Sequence, residues 1–244
     1  MIDIHCHILP NVDDGCSSIR ETRKLLENAI NEGVSDVLIT PHFSRNDDFI
    51  KKSKELLDIF NDVKRECSDL NINLYLGNEL MIDKDLDELL ISHELLSLND
   101  TNYVLVEFPF EDYKDEYDEY LYNLSISGYK VIIAHPERYK WVMDDYSYID
   151  KWINADYYIQ CNVTSLNVWK QRSLMHKMIE RQNVHFIASD AHGENRPLSL
   201  IKGYEMIRNK FNENVANVLF EDNPRRLLNN EEIVNVDKCK RRLF

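Results

Sequence analysis

Seven short apolar runs recur along this chain of 244 residues, and stretches with helical patterning separate them. The runs occupy residues 2–4, 37–40, 74–76, 103–106, 131–134, 157–161 and 185–189. Short runs rich in β-branched and aromatic residues that alternate with amphipathic helices are typical of parallel βα units. The pattern therefore predicts an α/β fold built from seven such units. Since no linker or repeat divides the order, we expect one domain over residues 1–234, followed by a basic tail over residues 235–244.

Local signals for helices fit between these runs. Ser18 and Glu21 match a capping box, and residues 115–127 and 167–182 have helical patterning. Asn223 followed by Pro224 matches a helix cap with proline at the first helical position. The sequence thus predicts a short terminal helix that Asn223 caps.

A polar side chain follows each apolar run, and in a parallel barrel the carboxyl ends of the strands meet on one face, where active sites are built. Charged groups gathered there without a counter-ion would repel one another and lose solvation, so the pattern favours bound cations. Asn162 follows the sixth run. The other runs and the first loop supply nine candidate metal ligands: His5, His7, Asp14, His42, Glu79, Glu107, His135, Asp190 and His192.

This donor set suits more than one metal ion. It mixes imidazole nitrogen with carboxylate oxygen and exceeds what a single zinc ion needs. Cys6 lies between His5 and His7, so its side chain should point the other way. The sequence predicts a cluster of two or three Mn, Fe, Zn or Mg ions with Glu107 as a bridging ligand. Such a cluster would attract a phosphate dianion.

Three arginines, Arg45, Arg138 and Arg196, each lie three or four residues after a candidate histidine ligand. Guanidinium groups bind phosphate oxygens through paired N–H donors, so we expect these side chains to bind the substrate. Each could instead form a salt bridge at the rim of the site.

Composition limits the partners and the compartment. The formal net charge is -14, with 29 basic against 43 acidic residues, which argues against nucleic acid and anionic membranes as partners. Five cysteines form no C-x-x-C pair, no signal peptide is present, and no apolar run approaches the ~18 residues that span a bilayer. We expect a cytoplasmic protein without membrane insertion.

Other chemistries lack their motifs. No cysteine is followed six positions later by arginine, as a thiolate phosphatase requires, and neither a Walker A loop nor a G-x-G-x-x-G sequence occurs. The remaining histidines, His93, His176 and His185, fall in helical stretches or at the start of a strand. We expect them to be structural or solvated.

Eight short motifs occur in order along nearly the whole chain. They are Ile-His-Cys-His at 4–7, Val-Asp-Asp-Gly at 12–15, Thr-Pro-His at 40–42, Gly-Asn-Glu at 77–79, Val-Glu-Phe at 106–108, Ala-His-Pro-Glu-Arg at 134–138, Ala-Ser-Asp-Ala-His at 188–192 and Asp-Asn-Pro-Arg at 222–225. Together they resemble the polymerase and histidinol phosphatase (PHP) superfamily. Within it, the chain is most similar to the bacterial tyrosine-protein phosphatases of capsule and exopolysaccharide operons.

The resemblance implies a distorted, TIM-like (β/α)7 barrel, a manganese-preferring site for three ions, and hydrolysis of phosphotyrosine on the tail of a bacterial tyrosine autokinase. The ligands of the family map onto the nine candidates above, and its phosphate-binding arginines map onto Arg138 and Arg196. The loop that carries Arg45 varies within the family. We expect direct hydrolysis by a metal-activated water without a covalent phosphoenzyme, and His42 is the candidate to assist the leaving phenolate.

Three alternatives stay open at this point. Metal-dependent amidohydrolases and nucleases also begin with His-x-His, but many of the former place a carboxylated lysine where this chain has Glu107, and the latter should carry more positive charge. A phosphatase of histidinol phosphate or another small phosphomonoester would use the same scaffold and ligands. A metal-stabilised protein that binds a kinase tail without hydrolysing it is the third.

Overall fold

The computed structural model describes residues 1–236, so the basic segment at residues 238–242 lies outside the described part of the chain. The strands are β1 (Ile2–Asp3), β2 (Asp36–Ile39), β3 (His42–Phe43), β4 (Asn73–Leu76), β5 (Glu79–Met81), β6 (Tyr103–Glu107), β7 (Lys130–Ala134), β8 (Tyr158–Asn162) and β9 (Phe186–Ala188). The α-helices are α1 (Ile19–Asn31), α2 (Ser53–Glu66), α3 (Leu86–Ile91), α4 (Glu116–Ile126), α5 (Lys140–Asp144), α6 (Ser147–Asn154), α7 (Trp169–Glu180), α8 (Ile201–Lys210), α9 (Glu213–Asn217) and α10 (Asn223–Leu228). Single 3-10 turns occupy Leu98–Asp100, Pro136–Arg138 and Val163–Asn167, and a π-helical turn occupies Val218–Asp222.

These strands form a closed parallel barrel with seven strand positions, and we call each position a stave. Two sheets are present, with strand orders β1-β2-β4 and β3-β5-β6-β7-β8-β9. Strands β2 and β3 are consecutive parts of one interrupted stave, and β4 and β5 are parts of the next. The barrel closes where the Asp190 amide donates to the His5 carbonyl (2.9 Å) and the His7 amide donates to the Ala191 carbonyl (2.8 Å). The predicted distorted (β/α)7 barrel is therefore confirmed.

The two interruptions have local causes. Pro41 has no N–H to donate, so the ladder cannot continue through it. At Gly77 a Cβ atom would lie 2.8 Å from the Leu98 side chain, so only glycine fits. Asn78 satisfies backbone groups that the breaks release, because its side chain donates to the Pro41 carbonyl and accepts from the Leu96 amide, both at 3.0 Å. These breaks place the side chains of β3 and β5 at the mouth of the barrel.

Apolar side chains fill the barrel and cover its outside. Alternate residues of each strand, such as Tyr103 and Leu105 on β6, belong to an inner cluster. The intervening Val104 and Val106 belong to a larger outer cluster beneath the helices. This division follows from the two-residue period of a strand, and it decides which residue at each strand end faces the mouth.

The helices begin largely where the sequence predicts. The Ser18 hydroxyl accepts a hydrogen bond from the Glu21 amide at the start of α1. The prediction for Asn223 as a helix cap is wrong, because its backbone is already helical and continues the preceding turn. The Asn223 side chain instead donates to the carbonyls of His185 (3.0 Å) and Val234 (2.8 Å), so it ties the final segment to the start of β9.

The described part of the chain ends against the barrel. Asn235 lies 3.1 Å from the His185 ring, and Val236 is buried. The first two residues of the predicted tail thus pack on the domain. Within residues 1–236, no helix has the length and apolar character needed to cross a membrane.

Candidate metal centre

The inward-facing side chains of three strands lead directly to the mouth of the barrel. On β6 the inner positions run from Tyr103 and Leu105 to Glu107, and on β9 the same alternation continues from Ala188 to Asp190. On β8 it leads to Gln160 and Asn162, both of which are buried. Strand periodicity therefore places an oxygen-bearing side chain from each of these three strands at the mouth of the barrel.

The first stave reaches the same place through a shift in its alternation. Ile4 belongs to the inner cluster and Cys6 to the outer one, so one residue is skipped after β1 ends. His5 and His7 consequently point inward, while the Cys6 thiol points toward the Leu38 carbonyl at 3.7 Å. The predicted outward direction of Cys6 is confirmed.

Other candidates depend on irregular backbone. His42 and Glu79 begin β3 and β5 immediately after the interruptions of those staves. His135 and Asp190 follow their strands with φ values of 33° and 53°, in the left-handed region that residues other than glycine seldom adopt. Such backbone costs of order 1–3 kcal/mol per residue and is concentrated at functional sites. Two of the nine candidates are held in this way.

The loop after β1 contributes Asp14 and is tightly folded against His7. A Cβ atom at Gly15 would lie 2.0 Å from the His7 carbonyl oxygen, so this position requires glycine. The Asp14 carboxylate faces His192 Nε2 at 3.3 Å and His42 Nε2 at 3.6 Å, and it is the most solvent-exposed carboxylate among the candidates.

The hydrogen bonds fix which nitrogen of His7 and of His5 carries its proton. Asp13 Oδ2 lies 2.8 Å from His7 Nδ1, and a carboxylate only accepts, so Nδ1 is the donor. Asp190 accepts from the Asn162 amide, whose oxygen accepts from Gln160 Nε2 at 2.9 Å. Gln160 Oε1 therefore faces His5 Nδ1, 3.0 Å away, and Nδ1 must donate.

When both rings are neutral, lone pairs of four side chains face one another in a dry space. In the neutral rings, His5 Nε2 and His7 Nε2 carry no hydrogen, and they lie 3.1 and 3.2 Å from Glu79 Oε2 and both 3.5 Å from Asp190 Oδ1. Glu79 Oε2 is buried and has no hydrogen-bond donor. Acceptors in this arrangement need a cation between them, and a second ring nitrogen bonded to oxygen is the usual support of a metal-binding histidine. The donor set therefore fits metal ions.

All nine predicted ligands lie in four overlapping groups, in which the potential ligand atoms are within 4.8 Å of one another. The groups are His7 with Asp14, His42 and His192; His5 with His7 and Asp190; His5 with Glu79 and His135; and His42 with Glu79 and Glu107. Four residues belong to two groups each, which is the arrangement expected of adjacent ions that share ligands. Binding of metal by these residues stays a prediction.

Without a bound metal ion, the pKa shifts of these groups favour protonated imidazoles, which would then supply the positive charge of the site. Burial alone would lower the pKa of His5, but the carboxylates of Glu79 and Asp190 raise that pKa to about 9. Burial likewise opposes ionisation of Glu79, yet the His5 and His42 imidazoles hold its pKa well below the ordinary value. The cluster is thus an environment in which cations are stabilised despite complete burial.

Two of the three predicted arginines lie at the cluster. Arg138 Nη1 is 2.9 Å from Asp190 Oδ2, and Arg196 contacts both the carboxylate and the carbonyl of Asp190. The Arg138 side chain is 29% exposed and the Arg196 side chain is 31% exposed. N–H groups of both therefore remain available to an anion at the mouth. Arg45 is not brought there, because it pairs with Asp83 and Asp85 and lies over the Phe43 ring.

His42 lies between two of the donor groups. Its Nδ1 is 2.9 Å from Glu107 Oε1 and 3.0 Å from Glu79 Oε2, while its Nε2 faces Asp14. Both nitrogens therefore face candidate ligands, which favours a ligand role over proton transfer to a leaving group.

The histidines that we expected to be structural lie away from this cluster. His185 is buried, and its Nδ1 accepts from the Ile159 amide at 3.0 Å. Burial lowers the pKa of His185 to about 4. His176 packs edge-on against Phe211, and His93 is exposed.

The sequence did not identify Asp13 or Gln160, which orient His7 and His5, nor the apolar side of the mouth. A pocket of about 540 Å³ lies next to Asp14, His42 and Glu107. Its apolar lining, which we call the ring pocket, consists of Phe49, Met81, Pro109 and Phe110. The Phe110 ring stacks near His135, with centroids 6.1 Å apart, and Arg138 lies 4.9 Å above it.

A closed parallel barrel with imidazoles and carboxylates gathered at its C-terminal mouth, beside two arginines, defines a hydrolase-type scaffold of the metal-dependent class. Residues 1–229 match the family model described as capsular polysaccharide synthesis, CpsB/CapC. The chain therefore belongs to the CpsB/CapC family.

Individual relatives agree with this assignment. The CapC protein of Staphylococcus aureus is 36% identical over 250 residues, which cover 96% of this chain and 93% of CapC. The tyrosine-protein phosphatase YwqE of Bacillus subtilis is 31% identical over 242 residues, with 96% and 93% coverage. The chain also superposes on a crystal structure from a study of YwqE and of CpsB from Streptococcus pneumoniae, with a TM-score of 0.90 at 26% identity. The match covers 99% of each chain, and that study describes the two proteins as metal-dependent tyrosine phosphatases.

Proposed function

We propose that this chain is a metal-dependent phosphatase that hydrolyses phosphotyrosine in proteins. The observation that carries the proposal is the convergence of His5 Nε2, His7 Nε2, Glu79 Oε2 and Asp190 Oδ1 on one buried space, with two arginines at its edge. The relatives named tyrosine-protein phosphatases support the choice of substrate.

The nine candidates would hold two or three divalent ions, with Glu79 or Glu107 shared between neighbours. Nitrogen and oxygen ligands without thiolate suit Mn²⁺, which we take as the preferred ion, and also Fe, Zn or Mg. When bound, such ions supply Lewis acidity and a water nucleophile that is deprotonated near neutral pH. The chain's own part is to fix the ligand tautomers through Asp13 and Gln160 and to keep the space around Glu79 dry.

Arg138 and Arg196 would bind the phosphate oxygens. Their guanidinium groups contact Asp190 and stay partly exposed, so the N–H groups that Asp190 does not use are available to an anion. Donors fixed in this way stabilise the charge that spreads over the equatorial oxygens during phosphoryl transfer. Arg45 remains a weaker proposal, because its ion pairs with Asp83 and Asp85 would have to break before it reached a substrate.

The ring pocket would take the phenyl group of phosphotyrosine. Phe49 and Phe110 stand beside His42 and His135, so an aromatic leaving group can stack next to a phosphate held at the cluster. A phenolate is a tolerable leaving group, so a proton donor is not essential, and His42, whose two ring nitrogens both face candidate ligands, would act chiefly as a metal ligand.

We infer the biological setting from the family. The proposed partner is the tyrosine-phosphorylated tail of a bacterial tyrosine autokinase, and the proposed role is regulation of capsular or exopolysaccharide synthesis in the cytoplasm. The family's description as a capsular polysaccharide synthesis family supports this setting.

The experiment measures phosphate release by metal-stripped protein after Mn²⁺, Mg²⁺, Zn²⁺ or Fe²⁺ is added back. Substrates are a tyrosine-phosphorylated peptide, the same peptide with phosphoserine, and histidinol phosphate. We expect Mn²⁺-dependent release from the phosphotyrosine peptide and little from the other two. Asp190→Asn should lower this rate by more than about a hundredfold. Turnover of histidinol phosphate alone would refute the proposed substrate, and full activity of Asp190→Asn would refute the proposed site.

A further inference from the structure

A second pocket, of about 580 Å³, lies between α5 and α7. Its lining includes Lys140, Asp144, Trp169, Lys170 and Lys177, and we call it the Trp169 groove. Trp169 is 71% exposed, more than any other large apolar side chain among residues 1–236. An exposed tryptophan is unusual on the surface of a folded chain and is common at the centre of binding interfaces.

The charge of this groove is opposite to that of the whole protein. Three lysines and one aspartate line it, whereas the chain as a whole has a formal net charge of -14. Lys140 pairs with Asp144, Lys177 lies 3.9 Å above the Tyr146 ring, and within the described residues Lys170 carries no ion pair. A basic groove on an acidic protein selects an acidic ligand.

One end of the groove, at Lys140 and Trp169, lies toward the mouth of the barrel that holds the candidate metal centre. The two walls of the groove follow β7 and β8, and α7 packs against the 3-10 turn Pro136–Arg138 that carries Arg138. Lys140 is two residues beyond Arg138, so their Cα atoms are within about 7.6 Å. An extended peptide advances ~3.3 Å per residue. A peptide whose phosphotyrosine lies at the cluster, beside Arg138, could therefore extend past Lys140 into the groove within a few residues.

We propose that the Trp169 groove binds an acidic segment that flanks the phosphotyrosine of the protein substrate, with Trp169 packing on an apolar or aromatic side chain of that segment. This inference rests on the proposed function, because it assigns part of the substrate of the same site. The basic segment at residues 238–242 has the same sign of charge as the groove, which argues against it as the occupant.

The test compares two phosphotyrosine peptides that differ only at positions three to six from the tyrosine, where one carries Asp and Glu and the other Ser. Free phosphotyrosine is a third substrate. The variants are Trp169→Ala and the double variant Lys170→Glu with Lys177→Glu, and the control is Lys54→Glu with Lys64→Glu on exposed positions of α2. The control makes the same change in net charge. All are assayed as metal-loaded full-length protein at low and moderate salt.

We expect the unchanged protein to have a lower KM for the acidic peptide than for the Ser peptide. In each groove variant, the ratio of these two KM values should fall about tenfold. Turnover of free phosphotyrosine should stay the same in all proteins. Equal loss in the control variant, or survival of the preference in both groove variants, would overturn the inference. If the unchanged protein hydrolyses free phosphotyrosine but does not prefer the acidic peptide, the role of the groove is refuted and the proposed phosphatase function is not.

Binding is measured separately from turnover, through the fluorescence anisotropy of a labelled acidic peptide with unphosphorylated tyrosine. The groove variants should bind it about tenfold more weakly than the control does. A lack of binding by the unchanged protein refutes the groove even if no phosphatase activity is found. If Trp169→Ala instead converts an oligomer to a monomer in light scattering, the occupant is a second copy of the chain and the inference is wrong.

Discussion

Replacing Asp13 with asparagine removes one negative charge from a side chain that is shielded from solvent beside the candidate centre. Asp13 Oδ2 accepts from His7 Nδ1 (2.8 Å) and from the His42 amide (3.0 Å), while Oδ1 accepts from the Gly15 amide (3.1 Å). Asparagine offers a single acceptor oxygen, so its amide group must face at least one of these N–H groups. The neighbouring His7 and His42 hold the pKa of Asp13 far below its usual range even though burial opposes this, so the lost charge is a full one.

The expected magnitude follows from these three bonds. One buried N–H loses its acceptor, which destabilises the fold by about 1–3 kcal/mol. His7 keeps at most a neutral acceptor at Nδ1, so its Nε2 becomes a weaker ligand. Changes of this kind beside a metal site lower metal affinity about 10- to 100-fold, or about 1.4–2.8 kcal/mol.

The assay is calorimetric titration of metal-stripped protein with Mn²⁺, together with urea unfolding of the metal-free form. The matched control is Asp36→Asn, at the end of β2 that lies away from the mouth of the barrel. The Asp36 carboxylate also accepts three hydrogen bonds, from Ser35, Asn73 and Tyr75. Asp36→Asn should lose comparable stability and retain metal affinity. Unchanged Mn²⁺ affinity in a folded Asp13→Asn protein would refute the role given to Asp13.

Three further predictions follow from single contacts. Gln160→Leu removes the acceptor for His5 Nδ1, so kcat/KM for phosphotyrosine should fall about 10- to 100-fold while circular dichroism is unchanged; an equal rate would show that the tautomer of His5 needs no support. His185 has a folded-state pKa of about 4 against 6.5 when exposed, so the unfolded state gains the proton first as pH falls. Its stabilising contribution is complete above pH 6.5 and should decrease by about 2 kcal/mol from pH 7 to pH 5, and His185→Asn should remove that part of the slope in urea unfolding. Phe110→Ala should raise KM for a phosphotyrosine peptide about three- to tenfold and leave the KM for a small aliphatic phosphate unchanged, which steady-state kinetics can check.

Much of the candidate centre could be predicted from the sequence because it obeys strand periodicity. An apolar run that ends in His, Glu or Asp identifies both a strand and the residue at its mouth, as it does for Glu107 and His135. Parallel strands bring such residues together whatever their separation along the chain. The nine donors in the four groups are therefore the nine that the sequence indicates.

The supporting residues could not be found in the same way. Asp13 and Asp14 are adjacent and identical, and only the loop path, set by the close approach of Gly15 to His7, decides that Asp13 bonds to a ligand. Gln160 lies inside an apolar run, where a single polar residue carries no signal of its partner. The direction of Arg45 likewise depends on the loop, which turns it toward Asp83 and Asp85.

Asn223 shows a local signal that tertiary structure overrides. Asn-Pro is a common helix start, but here the preceding turn is already helical and the asparagine side chain bonds to two distant carbonyls, of His185 and Val234. Long-range hydrogen bonds of this kind satisfy backbone groups that would otherwise be buried without partners. No pattern near Asn223 reveals them.

We expect the mouth of the barrel to hold more than one divalent ion. This expectation is tested most directly by anomalous diffraction at the manganese absorption edge from crystals of the Mn²⁺-loaded protein. We predict two or three anomalous peaks among the four donor groups. One peak should lie between His5, His7, Glu79 and Asp190, whose potential ligand atoms converge. A single peak at the mouth would contradict the cluster, and the absence of any peak at these nine residues would contradict the metal site itself.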